Sequence, residues 1–348
     1  MSNVSDISVV RRVEAFLQAS KKPLIVVLGP TANGKTEFSI RLAHHLEKGI
    51  GTLPPKRVEI ANADSRQFYR GLDIGTAKIT EDEMEGIPHH LINVLGPSER
   101  ATIAWYQKEA TRVIRDIHKR GVVPMLVGGS MLYISAIIDG LRPLPSDPVI
   151  RKRLEAQYDQ DDGRTLRERL ASLDPDSASS IPRENKVYLV RALEIAEMSK
   201  RPASLQKHRG SSPFDLLIIG IQRPRSEIVQ RINDRIDEMF ARGWINEVRS
   251  LLEKGYRETD PGFESHGYRE IAQFLKENPN CHTEPCRSAT IRCVSWFDPS
   301  PSSGQATHHD MLTDFFHLKE TIARKSAQYA KRQMTWWRGD SRIRWTSQ

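Results

Sequence analysis

The sequence contains few cysteines and no long apolar run. Three of its 348 residues are cysteines, an odd and small number that argues against a disulfide framework and favours a reducing compartment. The first strong apolar run, residues 24–28, has five residues, whereas a membrane-spanning helix needs about 20. Residues 1–20 include Asp6 and Glu14 and lack the continuous apolar core of a signal peptide. We therefore predict a cytoplasmic protein that is not inserted in a membrane.

The excess of basic residues predicts an anionic partner. Lysine and arginine number 52, aspartate and glutamate 44, and the formal net charge is +8. Residues 314–348 hold eight basic and three acidic residues, interleaved with Trp336, Trp337 and Trp345. Basic side chains bind phosphates and aromatic rings stack on bases, so this stretch is a candidate for binding RNA. The alternative for Trp336 is a position in the core at the end of a helix.

Apolar runs alternate with amphipathic segments, which is typical of a doubly wound α/β sheet. We predict strands at residues 22–28, 57–61, 121–127 and 214–221, and helices at 36–46, 228–252 and 315–337. Three of these strands are followed by glycine, aspartate, serine or lysine residues. Because ligands of such sheets bind at the carboxyl ends of the strands, we expect one site at that edge.

The expected domain organisation is a core interrupted by an insertion. Residues 1–141 form the first part of the core, 142–205 a helical insertion, and 206–348 the second part with a basic C-terminal helix. Residues 277–313 contain Cys281, Cys286 and Cys293 and show no usable periodicity. The cysteine spacing matches no closed zinc finger, so an irregular surface loop or acquired insertion is favoured over a metal site.

Residues 29–36 match the phosphate-binding pattern G-x-x-x-x-G-K-[ST] between a predicted strand and a predicted helix. In such a loop, backbone N–H groups converge on a diphosphate at the positive end of the helix, and the lysine adds a charge. The predicted diphosphate- or nucleotide-binding residues are Gly29, Pro30, Thr31, Ala32, Asn33, Gly34, Lys35 and Thr36. The Thr36 hydroxyl is also the candidate ligand for Mg²⁺.

The P-loop predicts a diphosphate but does not specify ATP. The strand at 121–127 ends in Gly128, Gly129 and Ser130, where an NTPase normally offers a second carboxylate. Asp64 is the acid that follows a predicted strand in this half of the chain. It is either a Mg²⁺ ligand of a kinase or NTPase, or a general base facing the diphosphate. An Asx turn or helix N-cap at residues 64–65 is the purely structural alternative.

An ordered set of motifs covers nearly the whole chain except residues 277–313. The motifs are GPTANGKT at 29–36, DSRQFYRGLDIGTAK at 64–78, PHHL at 88–91, VGGSMLY at 127–133, RALE at 191–194, GYRE at 267–270 and YAKRQMTW at 329–336. This set resembles the tRNA dimethylallyltransferase family, also called tRNA isopentenyltransferases. The resemblance implies a P-loop nucleoside-triphosphate-hydrolase-like parallel sheet with a helical tRNA-binding insertion domain. It also implies dimethylallyl transfer from dimethylallyl diphosphate to the 6-amino nitrogen of adenosine 37 in tRNA, with Mg²⁺.

The resemblance assigns roles to particular residues. Asp64 would be the general base, Ser130, where the family usually has threonine, would donate to the bridging oxygen of the leaving group, and Arg231 would clamp the diphosphate. Arg223, Arg225 and Arg235 compete with Arg231 for that role. The predicted tRNA-binding residues are Asp64, Ser65, Arg66, Gln67, Arg191, Lys331 and Arg332. The chain departs from the family pattern at Tyr188, usually basic, and at Ser326-Ala327, usually Thr-Arg.

Two other functions compete with a tRNA prenyltransferase. In a P-loop kinase, Asp64 would activate a substrate hydroxyl and Thr36 would hold Mg²⁺ with ATP. In an RNA-binding nucleotide sensor, Asp64 would be dispensable. The basic C-terminal stretch and the missing second carboxylate favour the prenyltransferase, which would bind the anticodon stem loop as a monomer by default.

Overall fold

The strands of the protein form one parallel sheet. The computed structural model describes residues 4–141, 144, 146–206, 210–278 and 308–347. The strands are β1 Pro23–Leu28, β2 Val58–Asn62, β3 His89–His90, β4 Val123–Gly128, β5 Asp215–Gln222 and β6 Ile343–Ser347. Their order is β3-β2-β4-β1-β5-β6, and every neighbouring pair is parallel. The predicted parallel α/β fold is therefore confirmed.

The central strands are apolar along their whole length because helices cover both faces of a parallel sheet. Val27 of β1 lies opposite Val127 of β4 and Ile219 of β5, and all three are buried. In the same register Leu28 lies opposite Gly128, and Asn62 of β2 lies opposite Val127. The carboxyl ends of β1, β2 and β4 thus meet at one edge of the sheet.

The helices connect these strands and add a separate helical unit. They are α1 Val4–Ala19, α2 Lys35–Lys48, α3 Glu81–Met84, α4 Ile103–Lys119, α5 Met131–Ile138, α6 Pro148–Asp161, α7 Arg164–Leu173, α8 Pro175–Ser180, α9 Lys186–Ser199, α10 Arg225–Ala241, α11 Trp244–Glu253, α12 Tyr268–Glu277 and α13 His308–Trp337. Short 3-10 helices lie at Ser204–Gln206 and Pro261–Glu264. No helix within the described ranges is long and apolar enough to cross a bilayer, and the location of the protein stays a prediction.

The chain divides into two compact units. The first comprises residues 1–134 and 214–348, and the second comprises residues 135–213. The second unit has its own core, in which Leu154, Leu170 and Leu193 are fully buried. Its helices α6 and α8 begin at Asp147 and Asp174, whose carboxylates accept hydrogen bonds from the first helical N–H groups.

Some expectations for the core differ from the structure. The predicted helix at 228–252 is two helices, because Gly243 at φ 92° ends α10 and begins α11. Strands β3 and β6 were not predicted, because β3 has two residues and β6 follows the basic helix. Helix α13 begins at His308, inside the segment predicted to be irregular. The predictions for Cys281, Cys286 and Cys293 lie outside the described residues.

Candidate active site

The P-loop leaves β1 along a path that requires glycine at its first position. A Cβ built on Gly29 would lie 2.7 Å from the carbonyl oxygen of Ile221 in β5. Gly34 adopts the left-handed conformation at φ 80° and begins helix α2, and Ala32 also has a positive φ of 59°. The residues that follow this turn at the start of α2 line a cavity, and the free N–H groups at the start of a helix are a site that binds anions.

Side chains from several elements fix the loop. The Lys35 ammonium donates to the carbonyl oxygen of Pro30 at 2.6 Å, and the Arg231 guanidinium on α10 donates to that of Ala32 at 2.9 Å. The buried amide of Asn33 donates to the Ile221 carbonyl. The loop is therefore held in place by the protein itself, which lowers the cost of ordering it around an anion.

Asp64 lies in a tight turn directly after β2. Its N–H donates to Asn62 Oδ1 at 2.9 Å, and its own Oδ1 accepts the N–H of Arg66 at 3.0 Å. The Asn62 amide donates to the carbonyl oxygens of Asp64 and Leu91, both at 3.0 Å. The Asx turn is thus present, and it orients the Asp64 carboxylate while using one of its two oxygens.

Ser130 links the turn after β2 to the loop after β4. Its N–H donates to the Ala63 carbonyl oxygen at 3.1 Å. Its Oγ accepts the N–H of Ser65 at 2.8 Å and lies 3.1 Å from the Ser65 hydroxyl. The neighbouring Gly128 approaches Ala63 so closely that a Cβ would lie 2.2 Å from its carbonyl carbon. Ser130 is therefore buried between two loops, and its predicted contact with a leaving group stays a prediction.

A cavity of about 600 Å³ opens at this edge of the sheet. Residues 31–36 of the P-loop line it together with Asp64, Gln67, Thr76, Arg231 and Arg235. Gln67 is fixed by donation to the Ala77 carbonyl oxygen at 3.1 Å. The structure thus brings together the predicted lysine, the predicted carboxylate and the predicted arginine clamp around one space.

The charges around this cavity are partly desolvated. Burial lowers the pKa of Lys35 to about 8; the Asp64 carboxylate opposes this shift and Arg235 adds to it. Burial also lowers the pKa of Arg235, again against the attraction of Asp64. The attraction of Asp64 therefore compensates only part of the cost of burying the positive charges of Lys35 and Arg235 in the cavity wall. An anionic ligand in the cavity would supply the missing negative charge.

Sequence reasoning did not select Arg235 over its neighbours. Arg223, Arg231 and Arg235 all follow β5, and the helical pattern does not distinguish their surroundings. Arg235 lines the main cavity, whereas Arg223 pairs with Glu227 one turn along α10. The sequence signal for Arg235 is its distance of four residues from Arg231, because this spacing places both guanidinium groups on one face of a helix.

A second, smaller cavity of about 90 Å³ shares part of its wall with the first. The shared residues are Thr31, Ala32, Lys35, Asp64, Thr76 and Arg235. The rest of its lining includes Arg66, Ile236, Trp244, His266 and Tyr329. The imidazole of His266 packs edge-on against the Tyr329 ring, with centroids 5.2 Å apart. Asp64 therefore faces two spaces, of which sequence motifs predicted one.

The other predicted tRNA-binding residues lie elsewhere on the chain. Arg191, on α9 of the second unit, binds the buried carboxylate of Glu194 at 2.7 Å and the Leu144 carbonyl oxygen at 3.0 Å. Lys331 and Arg332 are exposed on α13, and the Arg332 guanidinium lies 5.7 Å from the Tyr329 ring centroid. RNA contacts by these three residues stay predictions.

The exposed aromatic residues are only partly those expected. Trp337 is buried, whereas Trp336 is 42% exposed, so the core alternative for Trp336 is wrong. Neighbouring helical residues point about 100° apart, which places one indole in the core and the other at the surface.

Of the two departures from the family pattern, Tyr188 is 60% exposed and Ser326 lines the smaller cavity.

The oxygen donors at the larger cavity suit a magnesium ion that also binds a diphosphate. Thr36 and the carboxylates of Asp64 and Asp234 line the same space. Among the described residues no group of three or more histidine, cysteine, aspartate or glutamate residues forms a cage. Mg²⁺ is usually held by one or two protein oxygens together with substrate phosphates and water, so the donor set fits that ion.

The architecture and the site define a P-loop α/β protein in which the anion-binding loop after β1 and the Asp64 carboxylate after β2 line one cavity. Residues 67–340 match the family model described as IPP transferase. A curated tRNA dimethylallyltransferase from Geobacter sulfurreducens is 36% identical over 330 residues, 94% of this chain and 92% of that protein. The chain therefore belongs to the tRNA dimethylallyltransferase family.

Solved structures agree with this assignment. The crystal structure of the full-length tRNA isopentenylpyrophosphate transferase from Bacillus halodurans has 34% identity and a TM-score of 0.59, covering 94% of this chain and 90% of that one. A eukaryotic dimethylallyltransferase, described as acting on tRNA, has 24% identity and a TM-score of 0.70, covering 94% of this chain and 74% of that one. The second likeness supports the fold alone.

Proposed function

We propose that this chain transfers a dimethylallyl group from dimethylallyl diphosphate to the exocyclic 6-amino nitrogen of adenosine 37 in tRNA. The carrying observation is the position of Asp64, Lys35 and Arg235 in the wall shared by two cavities. A carboxylate between two spaces can face an amine in one and an allylic diphosphate in the other. Membership of the family supports this substrate pair.

The larger cavity suits the diphosphate. The residues at the start of α2 and the cationic side chains of Lys35, Arg231 and Arg235 line it, and together they match an anion with several negative charges. The same contacts stabilise the charge that develops on the leaving diphosphate, because they are held in place before the reaction begins. The P-loop would thus bind a leaving group rather than donate a phosphoryl group.

The smaller cavity would receive the amine. The amine nitrogen forms a bond to the allylic C1 while the bond from C1 to the diphosphate oxygen breaks, and the electron pair leaves with the diphosphate. The Asp64 carboxylate accepts the proton that the amine loses. Oδ1 of Asp64 accepts the N–H of Arg66, and Oδ2 is available for the proton. A carboxylate held in this way suits a general base for a weakly basic nitrogen.

Mg²⁺ fits the oxygen donors of the larger cavity. Its protein ligands would be the Thr36 hydroxyl and one carboxylate, that of Asp64 or Asp234. When bound, the ion would neutralise charge on the diphosphate and make it a better leaving group. Thr36 follows Lys35 at the start of α2. The hydroxyl and the ammonium would therefore act on the same diphosphate from adjacent positions.

The RNA would be held by basic and aromatic surface residues. A target base inside an anticodon loop must leave its stack to reach a buried carboxylate. Lys331, Arg332 and Trp336 are exposed at the end of α13, and such residues bind phosphates and stack on bases. We include the second unit, residues 135–213, as a further part of the anticodon stem-loop interface.

The test measures transfer of radiolabelled dimethylallyl groups to an anticodon stem loop with adenosine at position 37. Asp64→Asn retains an oxygen for the Asx turn but cannot accept the proton, so we expect the rate to fall at least about 100-fold. The matched control is Asp116→Asn, which makes the same charge change at an exposed position on α4. Equal rates for wild type and Asp64→Asn would remove the general base from the proposal.

The competing kinase is tested with the same proteins. A ligand that binds only the folded state raises the melting temperature. Stabilisation by dimethylallyl diphosphate together with label in the RNA supports the prenyltransferase. Stabilisation by ATP, with no label transferred by wild type, would overturn it in favour of the kinase.

A further inference from the structure

The side-chain amide of Gln333 joins two loops that are distant in sequence. Gln333 lies on α13 and is 2% exposed. Its Oε1 accepts the N–H of Thr31 in the P-loop at 2.9 Å. Its Nε2 donates to the carbonyl oxygen of Gly129, in the loop after β4, at 2.8 Å. One side chain therefore holds two of the three loops that form the candidate active site.

The two bonds fix each other's direction. An amide can accept at its oxygen and donate at its nitrogen, but a flip would set oxygen against the Gly129 carbonyl and nitrogen against the Thr31 N–H. Space around the amide is also limited, because a Cβ built on Gly129 would lie 2.4 Å from Gln333 Nε2. Glutamate lacks the donor, methionine lacks both functions, and asparagine is one methylene too short.

The bond to Thr31 also shapes the anion cradle. A P-loop usually directs its backbone N–H groups at the phosphates. Here the N–H of Thr31 is committed to Gln333, so the groups left for a diphosphate begin further along the loop. The following P-loop residues, 32–36, share the cavity wall with Asp64. A shift of Thr31 would displace the bound diphosphate relative to the side chains of Lys35 and Asp64.

Residues on successive turns of α13, on the face that carries Gln333, line the smaller cavity of the candidate active site. Ser326, Tyr329 and Gln333 are spaced three and four residues apart and all line the smaller cavity. Gln333 is thus the member of this face that reaches the backbone of the P-loop.

We propose that Gln333 is a positioning residue, which holds the P-loop and the loop after β4 at the separation required to bind and align the allylic diphosphate. This inference rests on the proposed function. It predicts that loss of the amide weakens diphosphate binding and slows transfer, whereas RNA affinity is retained. If Gln333 only stabilised the fold, its replacement would lower the amount of folded protein. The measured binding of both substrates would then decrease together, in proportion to the unfolded fraction.

The experiment compares wild type with Gln333→Met, which keeps length and removes both hydrogen bonds, and with Gln333→Glu, which keeps the acceptor alone. Gln273→Met, at an exposed position of α12, is the matched control. For Gln333→Met we expect the KM for dimethylallyl diphosphate and the Kd for inorganic diphosphate to rise about tenfold. We expect kcat to fall by at least as much, with the KM for the stem loop within about twofold of wild type.

Calorimetry with inorganic diphosphate separates this inference from the proposed function, because binding does not require transfer. If wild type transfers no dimethylallyl group, the proposed function fails, and the diphosphate affinities still decide the role of Gln333. Affinities and KM values within about twofold of wild type for both Gln333 variants would overturn the inference. If Gln333→Met does not fold, Gly129→Ala decides by the same measurements, because its Cβ displaces the amide.

Discussion

The indole of Trp244 occupies the space that a side chain at Gly75 would need. A Cβ built on Gly75 would lie 1.9 Å from Trp244 Nε1, and one built on Gly267 would lie 2.1 Å from Cη2 of the same indole. One turn further along α11, Glu247 accepts the N–H groups of Asp73 and Ile74 at 2.8 and 2.7 Å. Helix α11 therefore shapes the loop that carries Thr76 to the wall of both cavities.

We expect Gly75→Ala to displace this loop or the indole. Overpacking of a tight interior costs about 1–3 kcal/mol, so the melting temperature should fall, and the KM for dimethylallyl diphosphate should rise as Thr76 moves. Gly339→Ala is the matched control, because a Cβ at Gly339 meets no atom within 4 Å. Thermal unfolding and steady-state kinetics check the pair. Equal melting temperatures for the two variants would contradict the tight contact.

The sequence predicted those parts of the site that have local patterns. The P-loop and Asp64 follow apolar strands, and parallel strands bring their carboxyl ends together, so Lys35 and Asp64 could be expected at one edge. Gln333 has no such signal. Its partners, Thr31 and Gly129, lie 302 and 204 residues away, and only the packing of α13 against the sheet makes them neighbours.

Tertiary packing also explains why the predictions for Trp336 and for the helix around Gly243 differ from the structure. Trp336 and Trp337 are adjacent and chemically identical, and only the rotation of α13 decides which one is buried. Gly243 divides one amphipathic pattern into two helices because its positive φ turns the chain, although the apolar spacing continues through it. Periodicity thus indicates which elements form, whereas tertiary contacts decide where they end.

His266 should make stability depend on pH in the acid range. Burial, with a smaller contribution from Arg66, lowers the pKa of His266 to about 4 from a usual value of 6.5. The unfolded chain therefore binds a proton below about pH 6.5 that the folded protein does not bind until about pH 4. Stability is full above 6.5 and is lost as the pH falls toward 4.

This loss corresponds to about 2–3 kcal/mol between pH 7 and pH 4. Urea unfolding at both pH values checks it, with His266→Asn removing the titrating group. Wild type should lose more stability than His266→Asn over this interval. His317→Asn, at a side chain that is 81% exposed, should behave as wild type. Identical pH dependence in wild type and His266→Asn would contradict the assignment.

Arg191 should affect stability more than RNA binding. Its guanidinium and that of Arg151 both bind Glu194, whose side chain is fully buried. Removing one partner of a buried carboxylate is costly, but Arg151 remains, so we expect Arg191→Met to cost about 1–3 kcal/mol. Arg183→Met, at an exposed position of the same unit, is the control. A larger loss of stem-loop affinity than of stability would instead restore Arg191 to the RNA interface.

Lys35 should limit diphosphate binding at alkaline pH. Burial lowers its pKa to about 8, so the free protein loses this positive charge as the pH rises through 8. The KM for dimethylallyl diphosphate should therefore rise about tenfold between pH 7 and pH 9. Lys35→Arg keeps its charge throughout this range, and its KM should change much less. The ligand titrates equally in both measurements, so parallel profiles for wild type and Lys35→Arg would exclude Lys35 as the cause.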